Sequence, residues 1–176
     1  MIIPGYTDYS LEKGNVYRKN NTQVTLQKTG SLKLKDSEGN WKSVALTKIK
    51  SLCGIKLQLP KNAKAIPFTN NDYFIDKEAN VYSFTRRNPC GLKMKTKVGS
   101  KGYICVKIKY KDVTRKIELQ QLMGITFLQQ DYIEKGLVCM HLDDDKEKCE
   151  LSNLRIGTYS QNNLDAYATG VNPSKK

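Results

Sequence analysis

The 176-residue chain is expected to fold as an α+β protein built from small strand-rich modules, each closed by a helix, and followed by a strand–loop–strand–helix unit. Three observations predict this. A segment recurs within the first half of the chain. Long stretches alternate apolar and basic residues, the period of a half-buried strand. Short stretches carry apolar residues three apart, the spacing of one helix face.

The recurring segment is IPGYTDYSLEKGNVY, residues 3–17, matched with small gaps by IPFTNNDYFIDKEANVY, residues 66–82. Each copy reads Ile-Pro, Asp-Tyr, an acidic residue with Lys, then Asn-Val-Tyr, and self-similarity of this kind is the sequence mark of repeated architecture. A basic alternating stretch follows each copy, GSLKLKD in the first and GLKMKTKVGSKGYICVKIKYKD in the second. In the second, Tyr103, Cys105, Lys107 and Lys109 take one parity and Ile104, Val106, Ile108 and Tyr110 the other, so one sheet face is cationic and the other apolar. A helix closes each module, read from Leu46, Ile49 and Leu52 in the first and Leu119, Leu122 and Ile125 in the second. The lysine-rich segment Lys56–Ala65, which contains Pro60, separates the copies. The expected organisation is a first module over 1–60, expected to bind DNA, a second, basic strand–strand–helix module over 66–128, the terminal unit over 129–170 and a tail over 171–176.

Composition excludes several classes. With 39% hydrophobic residues the chain can build a core, and no apolar run reaches the roughly 20 residues that span a bilayer. MIIPGYTDYS has neither the basic nor the apolar segment of a signal peptide, which leads to an expected cytoplasmic location. The five cysteines are odd in number and form no C-x-x-C pair, which argues against a disulfide framework. A zinc held by Cys139, His141 and Cys149 lacks a fourth ligand and the spacing of such sites. Trp41 and Phe127 are expected in the core.

Thirty Lys and Arg against seventeen Asp and Glu leave a net charge of +13, the signature of a polyanionic partner. The charge is concentrated. Arg86, Arg87, Lys93, Lys95, Lys97, Lys101, Lys107, Lys109, Lys111, Arg115 and Lys116 face Asp112 alone between Ser83 and Lys116. A lysine face can simply keep a sheet soluble, but so lopsided a run favours a ribbon that lies along a phosphate backbone or enters a major groove, its lysines supplying affinity and Tyr, Asn or Arg some base reading.

Toward the C-terminus the only histidine, His141, follows the apolar run Leu137–Met140 and precedes the acidic loop Asp143–Glu150. A second apolar run, Leu154–Ile156, follows, then a helix that Ser160 can cap and Gly170 can end. The order His141, Asp143, Asn153-Leu154 and Asn162 resembles the ββα-metal unit of HNH nucleases, in particular the phage and intron homing endonucleases. GYTDYSLEKGNVY is similar to the module that often precedes such units, and GYICVKIKYKDVTRKIELQQLMGITF to the strand–strand–helix before their histidine.

The resemblance implies a metal-dependent DNA endonuclease with duplex DNA as its partner and no obligatory protein partner. His141 would be the base and Asn153 the second catalytic-unit residue, tying the loop to the strands; Asn162 and Asp143 would hold Mg²⁺ or Mn²⁺. One active site implies a nickase when monomeric. The pattern departs from the family at Met140, where a metal ligand is expected and a thioether stands, and at Lys148 and Cys149, which replace an Asn pair. Gln120 stands where many relatives place His. Two readings therefore stay open: a homing endonuclease, or a catalytically impaired relative that binds DNA as a regulator or occluding factor.

Overall fold

The computed structural model describes residues 1–86 and 88–168, with side chains as far as Asp165. The chain forms two compact units, Met1–Gln58 with Arg86–Leu92, and Leu59–Thr85 with the residues from Lys93 on. No helix among the described residues is long and apolar enough to cross a membrane.

In the first unit β1 (Ile2–Ile3), β2 (Tyr6–Glu12) and β3 (Asn15–Arg18) form an antiparallel sheet in that order. The β2–β3 turn is two residues long, and Lys13 and Gly14 hold φ of 47° and 86°. That is the twist-matched turn of a tight hairpin, and it explains the glycine. The hairpin of β4 (Ser31–Lys35) and β5 (Trp41–Ala45) follows, then α1 (Leu46–Leu52). Strand alternation sends Leu32 and Leu34 into a core with Ile3, Leu11, Val16 and Ile49, while Lys33 and Lys35 point outward. Tyr9 locks this arrangement, its hydroxyl oxygen accepting the Lys35 N–H at 3.1 Å. The returning segment Arg86–Leu92 is tied in by the Leu57 N–H, which donates to the Cys90 carbonyl at 2.6 Å.

Trp41 is not a core residue: it is 55% exposed. Register is the reason. Trp41 stands opposite Lys35, and Ser43 opposite Lys33, so both belong to the outward parity, whereas Val44 opposite Leu32 turns inward.

The second unit also opens on an antiparallel sheet. β6 (Lys64–Ala65), β7 (Tyr73–Ile75) and β8 (Val81–Ser83) pair antiparallel, and β9 (Leu92–Lys93) adjoins β8. The β7–β8 turn is organised by Asp76, 2% exposed, whose Oδ1 accepts the N–H groups of Glu78 and Asn80 at 3.1 and 2.8 Å. Its Oδ2 accepts the Tyr82 hydroxyl at 2.7 Å, so a buried carboxylate is satisfied within its own hairpin.

β10 (Lys97–Val98), β11 (Ile104–Tyr110) and β12 (Val113–Glu118) then form the cationic sheet, with Lys111 and Asp112 in the left-handed positions of a two-residue turn. Tyr73 does for β11 what Tyr9 does for β4: its hydroxyl oxygen accepts the Lys109 N–H at 3.1 Å. The helix α2 (Leu119–Met123) is shorter than the spacing suggests, because the chain widens into a π-turn over Gly124–Leu128. A side chain at Gly124 would stand 2.8 Å from the Tyr132 ring, so this turn exists only with glycine there. β13 (Val138–His141), a 3₁₀ turn over Leu151–Asn153, β14 (Leu154–Gly157) and α3 (Tyr159–Ala168) complete the chain. Ile66, Ile75, Val106, Ile108 and Leu122 share one core with Cys139, Cys149 and Leu154, so the hairpin bearing His141 rests on the same interior as the cationic sheet.

Candidate active site

β13 and β14 pair from Val138↔Gly157 to His141↔Leu154, and the Leu142 N–H donates to the Asn153 carbonyl at 2.8 Å just beyond the last pair. His141 thus sits at the loop end of the hairpin, half-buried rather than free in solvent. Its ring stacks on Tyr103, centroids 6.1 Å apart and planes 22° apart, and its Nε2 lies 3.8 Å from the Cys149 sulfur. Burial pushes its pKa below the ordinary value, against the opposing pull of Asp143, Asp145 and Asp144. The imidazole is therefore neutral near pH 7 and able to accept a proton.

Asn153 holds the acidic loop together. Its Nδ2 donates to the Asp143 carboxylate at 2.8 Å and to the Lys148 carbonyl at 2.9 Å. The Lys148 ammonium adds ion pairs to Asp143 at 2.9 Å and Asp145 at 3.3 Å. Lys148 first, then Asn153 and the Asp145 N–H, hold the Asp143 carboxyl well below its ordinary range. Asp143 is a fixed anion whose two oxygens are already spent inside the loop.

Asn162 lies half-buried in the first turn of α3, its N–H donating to the Thr158 carbonyl at 3.1 Å. Thr158, not Ser160, caps that helix. The Gln161 N–H donates to the Thr158 hydroxyl at 3.2 Å, and the Thr158 N–H to the Gln161 side-chain carbonyl at 2.9 Å. This reciprocal box was legible as Thr-x-x-Gln two residues before the cap that the sequence suggested. Gly170 lies outside the described residues. Arg155 and Asp165 join β14 to α3 by an ion pair.

Met140, one residue before His141, is 4% exposed and lies across Gly157, where an added side chain would strike the Met140 methyl. A buried thioether is a poor donor for a hard divalent cation. Among the described residues no three His, Cys, Asp or Glu side chains are grouped to hold a metal. Cys139 and Cys149 offer no alternative, since burial raises their thiols to about 12 and about 11 and keeps them protonated. Met140 is covered and Asp143 is held by Lys148 and Asn153, so neither stands free beside Asn162 as a ready ligand for Mg²⁺ or Mn²⁺.

The predicted cations are distributed as follows. Lys97, Lys107, Lys109, Arg115 and Lys116 lie exposed on the β10–β11–β12 sheet, with Lys111 in its turn and Lys93, Lys95 and Lys101 exposed on the strand and connections before β11. Arg86 belongs to the first unit, and Arg87 lies outside the described residues. Lys107 stands directly opposite Lys116, a like-charge pair that costs the free sheet stability. Only Lys109 of the sheet cations forms an ion pair among the described residues, to Asp112 at 2.7 Å. Sequence reasoning missed Tyr103 as a neighbour of His141, because it comes from the approach to β11; Cys149, weighed beside His141 only as a zinc ligand, does lie next to it across the acidic loop.

A histidine-bearing hairpin, braced by an asparagine and closed by a capped helix, is the ββα arrangement, here set on a cationic sheet. Over 61% of its length the chain shares the fold of I-HmuI, an HNH homing endonuclease, with a TM-score of 0.52 and 22% identity, the match covering 59% of that chain. In sequence it is similar to an uncharacterised HNH endonuclease of Acanthamoeba polyphaga mimivirus, 29% identical over 97 residues. That match takes in 53% of this chain and about a quarter, 26%, of the viral relative. No family profile matches the chain.

Proposed function

We propose that this chain is an HNH-type homing endonuclease that binds duplex DNA and hydrolyses its phosphodiester bonds, nicking one strand as a monomer in the host cytoplasm. The observation that carries the reading is the placement of the sole histidine: neutral, half-buried, stacked on Tyr103 and held at the end of a hairpin by the Asn153 bridge. In this role His141 removes a proton from the attacking water, Asn153 keeps the loop and strand in register, and the cations of the β10–β11–β12 sheet hold the phosphate backbone. The relationship to I-HmuI, whose DNA binding and cleavage have been described, supports the same class of reaction.

A second reading is favoured by a specific observation, the covered Met140 beside an Asp143 already committed to Lys148: a protein that binds duplex DNA without cutting it, as a regulator or occluding factor. Supercoiled plasmid incubated with the purified protein, alone and with Mg²⁺ or Mn²⁺, separates the two. Open circles that disappear with His141→Ala establish the nuclease. Intact plasmid under every condition, with a retained gel shift, establishes the binder.

A further inference from the structure

The outer face of the β4–β5 hairpin, in the first unit, carries two lysines and the chain's only tryptophan, exposed and without an assigned role. Its outward residues are Ser31, Lys33 and Lys35 on one strand and Ala45, Ser43 and Trp41 on the other, in that pairing. Neither strand contains a carboxylate. The nearest acids in sequence, Asp36 and Glu38, sit in the turn, where Asp36 is bound to Lys42 at 2.6 Å and accepts the Glu38 and Asn40 N–H groups. Lys33 and Lys35 form no ion pair among the described residues. Solubility alone would not place an indole here, since leaving an aromatic surface in water forfeits the stabilisation its burial brings.

The face is built like the cationic face of the second unit. Leu32 and Leu34 are 2% and 0% exposed beneath it, and Val106 and Ile108 are 1% and 0% exposed beneath β11. The same tyrosine latch fixes each: Tyr9 on the Lys35 N–H, Tyr73 on the Lys109 N–H, both at 3.1 Å. The outward lysines then correspond, Lys33 with Lys107 and Lys35 with Lys109.

We propose that this β4–β5 face is a second seat for the sugar–phosphate backbone of duplex DNA, with Lys33 and Lys35 on phosphates and the Trp41 ring packed on deoxyribose. It rests on the DNA-binding reading above and adds to it a contact surface outside the basic segment. Two lysines on phosphates contribute roughly 2 to the slope of log affinity against log salt, by about 0.9 per phosphate.

The test uses the full chain and a duplex oligonucleotide at low salt, reading the emission of the single tryptophan and its quenching by acrylamide. The expected result is that DNA shields Trp41 from acrylamide, and that Lys33→Glu/Lys35→Glu loses about tenfold or more in affinity with a shallower salt slope and an unchanged melting temperature. Trp41→Ala should weaken binding while leaving the salt slope alone. If duplex binds, and Lys107→Glu/Lys109→Glu weakens it, but Trp41 stays unshielded and Lys33→Glu/Lys35→Glu binds as wild type, the second seat is overturned while the DNA-binding reading stands. If single strands shield Trp41 more strongly than duplex, the duplex assignment is overturned. If neither duplex nor single strand binds the wild type, the underlying reading fails and this one with it.

Discussion

At the scale of single residues, His141 is where geometry meets chemistry. His141→Ala should abolish plasmid nicking and leave gel-shift affinity within about twofold, because a base acts only in the chemical step. Its depressed pKa also has a consequence for stability. The unfolded chain binds the proton more readily, so the contribution of neutral His141 is complete above about pH 6.5 and is lost as pH falls through its lower folded value. Urea melts across that window should show wild type losing more stability than His141→Ala. Asn153→Ala removes two hydrogen bonds that hold Asp143 and the Lys148 carbonyl, and should cost on the order of 1–2 kcal/mol in melts as well as activity. Much of this site was legible: His141, Asp143 and Asn153 are brought together as their spacing implied. What spacing could not reveal was the state of each atom. Lys148 reads as a missing asparagine in the sequence, yet it is the cation that consumes Asp143.

Strands and helices behaved as their periods required wherever one face is buried. The alternation of β11 is realised with Val106 and Ile108 inside and Lys107 and Lys109 outside, and Leu32 and Leu34 play the same part in β4. Where alternation is silent, the sequence reading erred. Trp41 looked like core because tryptophan is large and apolar, but side-chain direction in a hairpin follows register, and register places it beside Lys35. The α2 helix gives way at Gly124 to a π-turn packed so closely on the Tyr132 ring that it takes only glycine, a tertiary contact that no local pattern encodes. The opposed pair Lys107 and Lys116 gives this scale its prediction. Lys116→Glu turns a repulsive cross-strand pair into an attractive one and should raise stability by a few tenths of a kcal/mol to about 1 kcal/mol while weakening DNA binding. Thermal melts and gel shifts on the same variant would move in opposite directions; a fall in both would mean that the pair is not held at that separation.

Across the whole molecule, the net charge of +13 would govern the proposed encounter with DNA before any single contact forms. Affinity for duplex should fall roughly tenfold or more from low to physiological salt, since several phosphates are neutralised at once. Replacing Lys107, Lys109 and Lys111 with Glu should remove most of that dependence, whereas Lys61→Glu/Lys77→Glu, equally exposed but away from the ribbon sheet, should change it little. A salt-independent affinity measured by fluorescence anisotropy would point to a partner without dense negative charge.

The return of Arg86–Leu92 to the first unit has a consequence for synthesis. A ribosome releases Met1–Gln58 well before Cys90, yet the Leu57 N–H finds its acceptor only when Cys90 has emerged. The first unit must therefore wait, incomplete, while the β7–β8 hairpin is already out of the tunnel, so the two units cannot mature as beads on a string. Pulse proteolysis of nascent chains should show residues 1–58 still sensitive at a released length of 75 residues and protected once about 92 are free. Protection already present at 75 would show that the first unit stands without its late segment.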